Sequence, residues 1–98
     1  RIIFFGIRVF KIKGESMKPT IKNNSYVLSI PFFSSKNKKQ MLIFNHNKYG
    51  CLIKRFSHID EMGFFWFKGE NISSLTSSEI GPIKKRDILG RVLISFFK

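Results

Sequence analysis

Six short apolar runs make up most of this chain, and none keeps the period of a long helix. They read IRVFKIKG (7–14), SYVLSIPFF (25–33), QMLIFNHN (40–47), GCLIKRFSHI (50–59), GFFWFKG (63–69) and DILGRVLISFF (87–97). Each is of strand length, rich in β-branched and aromatic residues, and flanked by turn-forming residues. The first alternates Ile7, Val9 and Ile12 with Arg8, Lys11 and Lys13, and Pro31 closes the second. Short strands at this spacing favour barrels and sandwiches. The expectation is a mostly β, small, coiled, barrel-like fold. A chain of 98 residues predicts one domain, 1–98, and 12 Phe within 43% apolar residues are enough for one core. No internal repeat or linker divides it.

Three stretches read as loops. SSKNKKQ (34–40) is polar and expected to be mobile, and SHIDEMG (57–63) has the look of a hairpin connection. The serine-rich segment 69–86 is long for a small domain, and loops of that length tend to be functional or disordered. The tetrapeptide FFWF (64–67) reads as a strand alternating between core and surface. Its aromatics beside basic neighbours also suit contact with a membrane surface.

Composition excludes several chemistries. Cys51 is the single cysteine, so no intramolecular disulfide forms and no zinc site rests on cysteine. His46 and His58 match no metal-ligand spacing, and no metal or cofactor is expected. RIIFFGIRVF (1–10) is interrupted by Arg8 and too short to span a bilayer. It lacks a signal-peptide cleavage pattern and reads as a strand or the tail of an upstream anchor. A cytoplasmic or membrane-associated monomer is expected. The net charge of +12 attracts nucleic acid, anionic lipid or acidic protein at long range. The lysines are dispersed along the chain, as on a solvated surface, so no specific nucleic-acid partner is expected.

The stretch GESMKPTI (14–21) raises the question of a nucleophile. A serine hydroxyl is weak alone and needs a base. Lysine serves if it is neutral, which requires apolar burial. CLIKRF (51–56) supplies such a lysine. On a strand, Leu52, Lys54 and Phe56 face one side and Ile53 and Arg55 the other. Lys54 is therefore a candidate for a buried, neutral amine.

GESMKPTI, LIKR and the later KGEN, GPI and ILGRV together resemble the type I signal peptidase family of serine–lysine proteases, from about Phe10 to Val92. The resemblance implies the signal peptidase and LexA-type protease fold, with Ser16 as nucleophile and Lys54 as general base. Ser74 stands where a loop serine orients the lysine amine, the third-group role in triad logic. The backbone N–H of Ser16 would hold the oxyanion. Gly14, where some members have a serine, would let a substrate strand approach, and Met17 and Pro19 would set the turn. Phe10, Ile12 and Lys13, with Leu52 and Ile53, match the strands that grip an extended peptide by β-augmentation.

The chain departs from the family in places. A Gly-Asp pair ahead of the third strand is Lys39-Gln40, and Gly-Asp-Asn is Gly69-Glu70-Asn71. Asp-Ser-Arg is Thr76-Ser77-Ser78, which removes both members of an ion pair and leaves neither charge unpaired. The compact spacing and the GRVLISFF ending resemble the branch that matures nickel-type superoxide dismutase, and a leader-bearing precursor is the implied partner. Two rivals stand beside this reading. A LexA-type self-cleaving regulator shares the dyad, but no cleavable segment of its own chain is read upstream. A basic β module binding nucleic acid would need no Ser16.

Overall fold

Each of the six apolar runs carries one strand. The computed structural model describes residues 7–13, 21, 23–31, 33–34, 36, 39–69 and 75–96. The strands are β1 (Arg8–Lys11), β2 (Tyr26–Ile30), β3 (Met41–His46), β4 (Gly50–Ile59), β5 (Phe65–Lys68) and β6 (Ile88–Phe96). All pair antiparallel in one sheet of order β1-β2-β6-β3-β4-β5. The mostly β expectation holds. Two short helical turns interrupt the long serine-rich segment: α1 (Ser77–Ile80) and a 3-10 turn (Lys85–Asp87).

Alternation along β3 explains why the sheet has a core on each side. Leu42 and Phe44 enter one apolar cluster with Phe56, Phe65, Phe67, Ile80 and Ile83. Ile43, between them, enters a second with Ile12, Ile21 and Val27. The sheet must therefore curl until both faces are covered. Three bulges supply the curl, since an unopposed residue bends its strand and increases twist. Ser57 stands unopposed in β4 against β5, Leu89 in β6 against β3, and Leu93 in β6 against β2. The bulge at Ser57 also keeps Phe56 and Ile59 on the same side, both packed in the first cluster.

Close approach helps the coil at Gly90. A Cβ there would lie 2.5 Å from the Ile30 carbonyl oxygen, so only glycine fits where β6 passes the end of β2. FFWF behaves as expected: Phe65 and Phe67 are buried and Trp66 faces outward. Of SHIDEMG, Ser57, His58 and Ile59 extend β4, and only Asp60 to Gly63 enter the β4–β5 connection, which Asp60 holds. Its carboxylate accepts from the Met62 and Phe64 amides and, through Oδ2, from Trp66 Nε1 at 2.8 Å. The Trp66 bond is the largest influence holding the Asp60 carboxyl below its ordinary range. At one end of the 34–40 loop, Gln40 is buried and its amide nitrogen donates to the Ser34 carbonyl.

Candidate active site

The edges of the sheet place the site. β1 ends the sheet and pairs only with β2, so among the described residues its other edge is open. β4 pairs with β3 over residues 50–55 but with β5 only from Arg55 onward. The edge of residues 51–54 that faces away from β3 is therefore also unpaired among the described residues. The curl of the sheet brings these two edges together. Residues 10–13 and 51–54 face each other across a groove of about 260 Å³, with Ile43 also lining it.

The strand order fixes direction. Every pairing is antiparallel and three strands intervene, so β1 and β4 run the same way. Phe10 and Cys51, the first groove residues of the two parallel stretches, therefore belong to one end. Lys13 and Lys54 then belong to the other end.

Lys54 is 2% exposed. Its cross-strand partner is Leu42, itself fully buried, and Phe56 lies two residues on along the same face. Burial in this apolar setting pushes the Lys54 amine below the ordinary lysine pKa. No charge among the described residues opposes that shift. A buried amine with a lowered pKa is the state a lysine base needs. Arg55 takes the opposite face, and its guanidinium donates to the Lys39 carbonyl.

Of the residues singled out in the sequence, the structure gathers Phe10, Ile12, Lys13, Leu52, Ile53 and Lys54 at one groove. Gly14, Ser16, Met17 and Ser74 lie outside the described residues. The described chain on either side of the first three is well fixed. The Ile12 amide donates to the Ser25 carbonyl and the Asn24 amide to the Ile12 carbonyl, each at 2.8 Å, and Ile21 is 1% exposed. Beside Ser74, Leu75 packs on the cluster that holds Leu42 and Phe56.

Sequence reasoning missed some of the supports. Ile43 lines the groove though it sits on a strand given no role. Thr76 caps α1: its hydroxyl accepts from the Glu79 amide at 3.2 Å, and Glu79 Oε1 accepts from the Thr76 amide at 2.8 Å. The reciprocal pair fastens the Thr76-Ser77-Ser78 segment. The Thr-x-x-Glu spacing was the signal that would have found it. His46, dismissed in the sequence, donates from Nε2 to the Ile80 carbonyl at 2.7 Å and accepts at Nδ1 from the Lys48 and Tyr49 amides. No local pattern announces a partner so distant in sequence. Among the described residues no group of His, Cys, Asp or Glu could hold a metal ion. Among them, too, no helix is long and apolar enough to cross a membrane.

The family model described as Peptidase S24-like matches residues 6–93. No curated protein matches the chain.

Proposed function

The chain belongs to the Peptidase S24-like family, and from that premise we propose that it is a serine–lysine endopeptidase of the signal peptidase I type, removing a leader from a precursor protein. The observation that carries this reading is Lys54: an amine buried in apolar surroundings, at one end of a groove between two parallel strand edges that are unpaired among the described residues. Chain length supports Ser16 as its partner. Ser16 follows Lys13, at the same end of the groove, by three residues, and three extended residues reach at most about 11 Å.

In the proposed reaction the peptide lies in the groove as an added strand. Neutral Lys54 takes the Ser16 proton, and Oγ attacks the scissile carbonyl. Backbone N–H groups hold the oxyanion. The ammonium of Lys54 then returns the proton to the leaving amine as the C–N bond breaks. A water that Lys54 deprotonates hydrolyses the ester and frees Ser16. Ser74 donates or accepts a hydrogen bond that orients the amine. The precursor of nickel-type superoxide dismutase is the specific substrate proposed, from the spacing of the Lys-Arg and Gly-x-Asn segments.

The family match also favours a second reading, cleavage of the protein's own chain in the manner of LexA-type regulators. One experiment separates them. Wild type, Ser16→Ala and Lys54→Ala are incubated with the leader-bearing precursor, and products are read by mass spectrometry. Cleavage at one bond of the precursor, reduced at least a thousandfold in both variants, is expected; about this much follows from losing an activated nucleophile or its base. Cleavage of the protein's own chain at a rate independent of its concentration selects the second reading. Folded protein that cuts neither sinks both.

A further inference from the structure

The groove is uneven along its length. Phe10 and Ile12 pack toward the second core cluster, and Ile43, Leu52 and Ile53 continue the apolar lining. Among the described residues no acidic one lines it. Past Phe10, on the same side of β1 by strand alternation, stands Arg8. It is exposed, and its charge partly offsets the burial that pushes the Cys51 thiol up. The one lysine of β1, Lys11, borders the groove but carries its ammonium over the ring of its cross-strand partner Tyr26, 5.9 Å from the centroid. Arg8 is thus the cation of β1 that shares the face of Phe10, just beyond the end of the groove remote from Lys54.

Resting on the peptide-groove reading above, we propose that Arg8 is a specificity residue that selects an extended peptide with an acidic side chain at the groove's remote end. The spacing follows from β geometry. Side chains on one face of an added strand recur every second residue, as do Arg8, Phe10 and Ile12. The acidic residue therefore lies four positions from the residue over Ile12, and the one between them lies over Phe10 and is apolar. An opposite charge across two strands stabilises the pair and a like charge destabilises it.

The test uses Ser16→Ala protein, so binding is read apart from cleavage. Fluorescent extended peptides of small apolar residues carry Glu, Gln or Lys at each position in turn, and affinity is read by polarisation. One position is expected to prefer Glu over Lys by about tenfold, the size of a favourable cross-strand pair against an unfavourable one. Arg8→Glu should reverse that preference, and Arg8→Gln should flatten it. Lys36→Glu with Lys68→Glu changes net charge at the other end of the groove, near Arg55 and Gln40, and should leave the preference standing. Binding without a Glu-preferring position overturns the proposal and leaves the peptidase reading intact. A preference moved as much by the distant pair as by Arg8→Glu overturns it too, as a net-charge effect. Selective binding with no cleavage by wild type keeps the Arg8 proposal and removes the peptidase. No binding of any peptide by folded protein overturns both.

Discussion

Lys54 concentrates the conflict between stability and chemistry in one side chain. Burial lowers its pKa, so the folded protein binds a proton there less readily than the unfolded chain. Between the folded and the unfolded pKa the unfolded state holds more protons, and stability rises with pH through that window. Below the folded pKa both states are charged and the penalty on the buried charge is complete. Lys54→Met should therefore raise the melting temperature at neutral pH, with the gain shrinking toward pH 10.5 and above, while peptide cleavage disappears. Thermal melts across pH check this, and a variant less stable than wild type at neutral pH contradicts it. In the proposed reaction the same proton governs rate. Protonated Lys54 cannot accept from Ser16, so kcat/KM should fall about tenfold per pH unit on the acid side. The midpoint should lie below the ordinary lysine value. The lysine was legible in the sequence because its apolar neighbours stand at two-residue spacing. His46 was not, because its carbonyl partner, Ile80, comes from another element 34 residues away.

At the scale of elements, β6 does the most to shape the site. It joins β2 to β3 and carries two of the three bulges, with Gly90 between them. Gly90→Ala drives a methyl against the Ile30 carbonyl, and backbone cannot yield cheaply. The expected loss is about 1–3 kcal/mol, the usual result of overpacking, or about 4–8 °C in Tm for each kcal/mol in a domain of this size. Unchanged melting would mean that the two strands part without cost. The α1 segment offers a milder test. Thr76→Ala removes one half of the capping box and should cost about 1 kcal/mol. His46→Ala leaves the Ile80 carbonyl without its donor. Both should speed amide exchange in residues 75–81 and leave β3 slow, as mass spectrometry would show. All six strands could be read from alternation and turn residues. The bulges could not, because an unopposed residue is defined by its partner strand and leaves no mark on its own.

Across the whole molecule, charge and topology cooperate. A net charge of +12 surrounds an apolar groove with basic residues near its ends. Raising ionic strength from about 0.1 to about 1 M shortens the screening length from about 10 to about 3 Å. The association rate of a groove-binding acidic peptide should fall steeply over that range, while its dissociation rate changes little. Stopped-flow mixing reads both, and a salt effect confined to dissociation would contradict long-range steering. The curl that makes the groove was only partly legible. Strand number and length suggested a coiled barrel-like fold, but which edges stay unpaired depends on the sheet order, and no single run encodes that. Two such edges have a consequence for any partner. Each offers amides and carbonyls that only a backbone with idle groups of its own can answer. A helix has spent those groups internally, and so has a strand inside a finished sheet. A tail hanging from a compact body has not. As the proposed peptide site, the groove would ask first whether a chain still has idle backbone, and only afterwards what its side chains are. A folded protein would answer it only with an open strand edge, an extended loop or a tail.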